Sequence, residues 1–427
     1  MTNKPKPITN PTYHVVSGND PHEKTEQMRR WTEYPKRGTI KEFPLQLDIE
    51  STSACNLKCP MCAQADEETR PVVENMSFDL YTHIIDEGAR KGLDSIKMQY
   101  RGEPLITGDI AERVAYATER GIQATFNTNG TLLTKDLSTR LIDAGLYKIM
   151  FSVDSHIPEE YERIRVLKNN DRGNFGRVLR NIRDMIRIRG ERNSKYPIIR
   201  VGRVDLPETR DSIGEFSEFW REQGVDLVSI VDLNDLSMGT KQEEVTTSTE
   251  FSCEQPWQRL FVLAGGDVVP CCGDWYQQMP LGHIVLPKQI QKFKSELEGR
   301  LKYEEVGSIV ELKITKDPKL ERTVIGIVKK DRQVEPTEIR IRGITGLTHT
   351  VPLVNSIESI WTGERLNYIR ERNKEGESHK VPICADCGLR NTVIEKRGLD
   401  SKKESRGKKH SEPKKHELEY IKNGLQN

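Results

Sequence analysis

The sequence has almost no surplus charge: 66 Lys plus Arg stand against 65 Asp plus Glu, a formal charge of +1. It therefore offers no global field to gather nucleic acid or an anionic membrane surface, and such a partner would need a local patch. It also lacks any run of about 18 consecutive apolar residues, the length that a membrane-spanning helix requires. Its first residues, MTNKPKPITNP, lack the apolar stretch of a secretory signal. A cytoplasmic protein is expected, with neither membrane nor nucleic acid as a partner. In that reducing compartment the eight cysteines are not expected to form structural disulfides. Metal explains them better. Cys55, Cys59 and Cys62 lie within eight residues, Cys253 stands apart, Cys271 and Cys272 are adjacent, and Cys384 and Cys387 form a C-x-x-C pair. Two groups of ligands are implied.

At 427 residues the chain exceeds one average domain, and one large barrel with an appended unit accounts for it. Residues 1–43 are polar and proline-bearing without sustained periodicity, which predicts an extended or partly disordered arm. From Pro44 to about residue 240 strands and helices alternate. LQLDIE, SIKMQY, IQATFN, KIMFSV, IIRVGRV and DLVSIV read as strands; Phe78–Lys91, Asp109–Arg120, Lys135–Ala144, Val178–Arg189 and Ile213–Gln223 read as helices. Six strands so arranged imply a parallel sheet, because parallel neighbours need crossover helices. Gly92, Gly121, Gly145 and Gly224 fall near helix ends, where a left-handed cap favours glycine.

The run CNLKCPMC places three thiols in the loop after the first strand. Such a loop can wrap around one small metal centre. An ordinary ferredoxin cluster takes four cysteines; here the fourth is missing locally, which leaves one iron open to an exogenous ligand. The competing zinc knuckle wants four ligands, often with a histidine, and the nearest downstream histidine is His83, inside the first helix.

CNLKCPMC resembles the cluster motif of the radical S-adenosylmethionine (radical SAM) superfamily, with Met61 where an aromatic residue is commonest. The resemblance implies an α/β fold: a partial (β/α)6 TIM-like barrel. It also implies a [4Fe-4S] cluster on Cys55, Cys59 and Cys62 whose open iron binds S-adenosylmethionine. Reductive cleavage of that cofactor would give a 5'-deoxyadenosyl radical that abstracts hydrogen from substrate. A reductant such as flavodoxin or ferredoxin is implied as partner. YRGEP follows the second strand, where the family carries Gly-Gly-Glu for the methionine amino group; Gly102 and Glu103 match and Arg101 departs. Thr128 and Asn129 end the third strand and Ser152 and Asp154 the fourth, where the family often binds ribose. Each of these polar residues is by itself commoner as a turn or cap, but strand carboxyl ends are where parallel α/β sheets bind ligands.

The segment from Cys253 through GGDVVPCC, with LGHI, SIESIW and PICADC, resembles the auxiliary-cluster extension called the SPASM or twitch domain, here over 250–390. The resemblance implies a second iron-sulfur cluster on Cys253, Cys271, Cys384 and Cys387. Cys272 is left as a substitute for Cys271, a catalytic thiol or a small buried hydrophobe. A structural zinc ribbon is the alternative for this group. Between LGHI and SIESIW stands an insert at 287–353, roughly seventy residues and long for a loop. A helix at Lys288–Leu301 and the alternating runs SIVELKIT, TVIGIVKK and TEIRIRG mark it as a small β-unit. Lys313, Arg322, Lys329, Arg340 and Arg342 fall on its expected polar faces, either as a solvated surface or as a dock for a peptide or anionic substrate. Residues 391–427 are lysine-rich and apolar-poor, which predicts a disordered tail.

The expected activity is oxidation of a small sugar- or aminocyclitol-like molecule or of a peptide. A peptide- or protein-modifying maturase of the same superfamily is the alternative. Arg203 and Asp274 are candidate proton acceptors, or ion-pair partners. The non-enzyme alternative is a zinc-bearing module that binds nucleic acid or protein.

Overall fold

The chain enters through a short strand, β1 (Tyr13–Ser17), and a helix, α1 (Glu26–Arg37). The computed structural model describes residues 13–18, 25–68, 70–169, 172–232, 244–248, 250–301, 305–315, 317, 319–329, 333–342, 346–385, 387–388, 390, 394 and 402–405. The predicted arm thus contains an unexpected helix. Thr25 caps it by accepting from the Met28 N–H, and the N–H of Gly38 donates back to Pro35 and Tyr34 at its end.

The predicted alternation follows: β2 (Gln46–Ile49), α2 (Phe78–Lys91), β3 (Ser95–Lys97), α3 (Ile110–Thr118), β4 (Gln123–Thr128), α4 (Lys135–Asp143) and β5 (Lys148–Ser152). After it come α5 (Pro158–Ile164), α6 (Asn174–Glu191), β6 (Ile198–Asp205), α7 (Ile213–Glu222) and β7 (Leu227–Asp232). The six strands β2 to β7 lie side by side in chain order, each pair parallel. β6 is buried over its first six residues, as a strand covered on both faces should be. α5 has only seven residues and was not legible from periodicity. Gly92, Gly121, Gly145 and Gly224 all take positive φ. At Gly92 this lets its N–H donate to Ala89 and Gly88, closing α2.

The barrel stays open. β1 pairs antiparallel with β7, and β2 pairs on its free side with a later strand, so β7 and β2 never meet. Past β8 (Glu244–Thr247), that later strand is β9 (Arg259–Val262), which continues through β10 (Asp267–Val269) and β11 (Gly282–Ile284). The insert then supplies α8 (Pro287–Glu298), β12 (Ile309–Lys313), β13 (Glu321–Val328), β14 (Val334–Arg342) and β15 (Thr348–Val354). β15 was not expected, since Pro352 lowers the strand propensity of its segment. It pairs with both β14 and β11, joining insert to barrel in one sheet of fourteen strands.

α9 (Ile357–Trp361), α10 (Glu364–Lys374) and α11 (Pro382–Ala385) close the second region. Their Ile360, Trp361, Leu366 and Ile369 belong to the same apolar core as Leu47, Ile96 and Phe151 of the barrel. The insert has its own core, with Leu297, Val324, Ile339 and Val351. Of the basic tail, Lys402–Ser405 form a strand, β16, paired with β8. That departs from the predicted disorder, and most of the tail lies outside the described residues. No helix among the described residues is long and apolar enough to cross a membrane.

Candidate functional site

The loop after β2 carries Cys55, Cys59 and Cys62 and is pinned on both sides. The Lys58 N–H donates to the Val166 carbonyl at 2.8 Å, and the Lys168 N–H donates to the Asn56 carbonyl at 3.0 Å. Asn56 reaches the end of β4: its Nδ2 donates to Thr131 at 2.8 Å, and its Oδ1 accepts from Asn129 at 2.9 Å. Cys59 is buried, Cys55 and Cys62 are half-buried, and all three pack around Leu57 and Leu167. Burial, with Glu103, Cys59 and Cys62 close by, pushes the Cys55 thiol up to about 12. Burial also raises Cys59, against the opposing charge of Arg165, whose Nη1 donates to its sulfur at 3.8 Å. Buried thiols become thiolate ligands only beside a compensating positive charge, which an iron-sulfur cluster provides. The donor set fits that group.

Gly102 and Glu103 sit against this loop. The Glu103 N–H donates to the Ala54 carbonyl at 2.8 Å, and a Cβ on Gly102 would lie 2.1 Å from the Thr52 carbonyl oxygen. Gly102→Ala is therefore expected to displace the cysteine loop at a cost of about 1–3 kcal/mol. Iron content per chain after reconstitution, with a thermal melt, reads the effect; unchanged values in both contradict it. The Glu103 carboxylate is buried and accepts from the Thr128 hydroxyl at 2.6 Å, the Asn129 N–H at 2.8 Å and the Leu105 N–H at 3.1 Å. The expected cofactor ligands Glu103, Thr128 and Asn129 thus form one network with Asn56, binding the ends of β3 and β4 to the cysteine loop.

Asp154, buried at φ 67, accepts from the Val204 N–H at 2.8 Å and pairs with Arg165. It holds the guanidinium that reaches Cys59; Ser152 is half-buried at the end of β5. Arg101, the departure from the family pattern, pairs with Glu50 at 2.7 and 2.8 Å, and its Nη1 donates to the Trp275 carbonyl at 3.4 Å. The substitution ties the ends of β2 and β3 to the second cysteine region.

That region gathers Cys253, Cys271, Cys384 and Cys387. A Cβ on Gly273 would lie 3.6 Å from the Cys271 sulfur and 3.9 Å from that of Cys387. Burial, with Cys387 and Cys272 nearby, pushes Cys253 up to about 12, and burial beside the other thiols raises Cys271 and Cys384. α10 positions Cys253, whose N–H donates to Asn373 Oδ1 at 2.9 Å. Cys272 borders this group and also packs with Tyr100, Phe261 and Trp275, its sulfur accepting from Gln255 at 3.3 Å. Cys62 packs against the same aromatic cluster. That cluster is thus shared by Cys62 of the first loop and Cys272 of the second region. All eight cysteines are unbridged. Among the described residues no group of three or more His, Cys, Asp or Glu is arranged to hold a single metal ion.

Two expectations need correction. Arg203 donates to the Thr209 carbonyl and to Ser212 (3.3 Å) and stacks 5.1 Å from Phe216, so it anchors the turn after β6. A guanidinium so used is no proton acceptor. Arg322 is not on a solvated face: it is 3% exposed and binds Glu74 at 2.9 Å and Asp267 at 2.6 Å, while His283 contacts Asp267 at 2.6 Å. Of the other insert cations Lys313, Lys329 and Arg342 are exposed and Arg340 is half-buried, and Lys313, Lys329 and Arg340 pair with Glu321, Glu335 and Glu311. Asp274 is buried and accepts from Gln278 at 2.6 Å and Met279 at 3.0 Å; burial pushes its carboxyl up to about 6. Sequence reasoning missed Arg165 and Glu50, which no motif marks.

Residues 49–213 match the Radical SAM superfamily, and residues 253–296 match SPASM, described as an iron-sulfur cluster-binding domain. The tungsten-containing aldehyde ferredoxin oxidoreductase cofactor-modifying protein of Pyrococcus furiosus is 26% identical over 81% of this chain and 87% of its own. The PqqA peptide cyclase of Granulibacter bethesdensis is 34% identical across 29% of this chain and 32% of its own. Among solved structures, BtrN in complex with AdoMet and 2-DOIA aligns over 82% of this chain and 94% of its own, at 15% identity and a TM-score of 0.44.

Proposed function

Since the chain carries a radical SAM domain followed by a SPASM domain, it is an enzyme of radical SAM type, and we propose that it oxidises a carbon-hydrogen position of a small organic substrate. When bound, the first cluster and S-adenosylmethionine supply a hydrogen-abstracting 5'-deoxyadenosyl radical, and the second cluster supplies a sink for the electron left on the substrate. Cys55, Cys59 and Cys62 hold the first, and Cys253, Cys271, Cys384 and Cys387 hold the second. The observation that carries the oxidative reading is the shared aromatic cluster: Tyr100, Phe261 and Trp275 contact both the Cys62 and the Cys272 segments. Glu103, Thr128 and Asn129 set the strand ends that face the cofactor, with Gly102 letting the loop approach. Ser152 and Asp154 border the same strand ends. Asp274, able to carry a proton near neutrality, is the candidate proton acceptor beside the second group. The reductant is a flavodoxin or ferredoxin, and the compartment is the cytoplasm.

A small substrate is favoured because the relative matched along most of its length is a cofactor-modifying protein. A peptide is the second reading, favoured by the partial match to a peptide cyclase. The test is direct. Reduced, anaerobically reconstituted protein is expected to convert S-adenosylmethionine to methionine and 5'-deoxyadenosine. A colourless, zinc-loaded protein that leaves S-adenosylmethionine intact would overturn the assignment.

A further inference from the structure

The hairpin between β12 and β13 reaches out of the insert and onto the first cysteine loop. At its tip the Lys319 ammonium donates to the Glu67 carbonyl at 2.9 Å, and the Lys319 N–H donates to Asp317 Oδ1 at 2.8 Å. Leu320, 7% exposed, belongs to the insert's apolar core, against which Val72 from the extension of that loop packs, and it lines a crevice together with Pro71, Trp275 and Tyr276. The buried Arg322 then fixes the base of the hairpin to Glu74 and Asp267. The tip is thus held at the junction of all three units.

Beneath it lies a cavity of about 320 Å³. Cys55, Gln64, Arg70 and Lys168 line it together with Asp317 and Lys319 of the insert. Its volume is that of a small-molecule site. Three cations face one carboxylate, and that carboxylate already accepts from its own turn. Arg70 is 4.0 Å from its acid, Glu67, itself 85% exposed, which is too loose to neutralise it. Among the described residues that line the cavity, cations thus outnumber carboxylates by two, next to a cysteine of the first group.

We propose that this cavity binds an anionic group of the substrate, a carboxylate or phosphate, between Lys168 of the barrel and Lys319 of the insert. The insert is then a specificity element, since one of the two cationic contacts comes from it. The proposal rests on the radical-enzyme reading only in calling the ligand a substrate.

The test uses the full, cluster-loaded chain saturated with S-adenosylmethionine, and calorimetric titration with inorganic phosphate and, separately, succinate. At least one anion is expected to bind, and the two arms distinguish phosphate from carboxylate. The Lys168→Ala/Lys319→Ala variant, which removes both cationic contacts, should bind it at least about tenfold more weakly, since each lost charge-assisted hydrogen bond is worth roughly that much. Lys313→Ala/Lys329→Ala, which removes exposed insert cations outside the cavity, should bind it as the unaltered chain does. The proposal is overturned if neither anion binds, if the two double variants behave alike, or if the cavity variant loses as much affinity for S-adenosylmethionine as for the anion. Cleavage of S-adenosylmethionine by the unaltered chain is followed in parallel. Anion binding without cleavage would sink the reaction assigned above and leave the cavity standing.

Discussion

A Cys59→Ala chain, reconstituted with iron and sulfide without oxygen, is expected to release no 5'-deoxyadenosine above background, while its second iron-sulfur centre survives. Cys59 is the buried member of its trio and the one that Arg165 approaches. Its loss leaves two thiols, too few to hold a cluster in the first loop. In the second group Cys253 is set by the bond of its N–H to Asn373 of α10 and packs with Phe251, Ile394 and Cys387, none of which belongs to the first loop. Iron per chain should therefore fall by about half rather than to zero. Retained cleavage in this variant contradicts the assignment of the first loop. A fall of iron to zero would mean that the two centres fold as one, against the separate supports seen here.

Arg322→Ala is expected to destabilise the chain by about 3–5 kcal/mol, because it strands two carboxylates that a buried guanidinium now neutralises. Asp267 is fully buried and Glu74 is 19% exposed. Burial alone would raise Asp267, but Arg322 and the bond from His283 outweigh it and hold the carboxyl well below the usual carboxylate range. A carboxyl depressed in the folded state stabilises fully above its unfolded value, about 3.9, and that contribution is lost as pH falls below it. The unaltered chain should thus lose stability on acidification below about pH 4, and the difference from Arg322→Ala should narrow there. Thermal melts of both chains from neutral pH downward read this. Equal melting points at neutral pH contradict the clamp. Limited proteolysis should also cut the variant first in the insert, whose own core is joined to the rest through β15 and this clamp.

The local rules of the sequence reached far into the barrel. Apolar runs of strand length and helices ending at Gly92 or Gly145 are set by neighbours in the chain, and the parallel order followed from them. The three cysteines in CNLKCPMC were legible because their spacing is itself the chemistry. What stayed hidden depends on partners far away in sequence. Arg322 reads as one more surface cation among alternating residues until β13 is placed against Glu74 and Asp267. Arg101 reads as a lapse in a motif, and only the fold shows it paired with Glu50. α1 has apolar residues at helical spacing, Met28, Trp31 and Tyr34, but they stand in a strongly polar segment with Pro35 inside its last turn, which hid them. The cavity under the hairpin is of the same kind, since Cys55, Lys168 and Lys319 meet only through the insert's return to the first loop.

The central claim is a cluster held by three thiolates with one coordination position left for S-adenosylmethionine. Electron paramagnetic resonance on anoxically prepared, dithionite-reduced protein tests it most directly, with and without added S-adenosylmethionine. Two iron-sulfur signals are expected, one of which changes when S-adenosylmethionine is added and is missing from Cys59→Ala. A protein with no iron-sulfur signal, or with signals indifferent to S-adenosylmethionine, would contradict it.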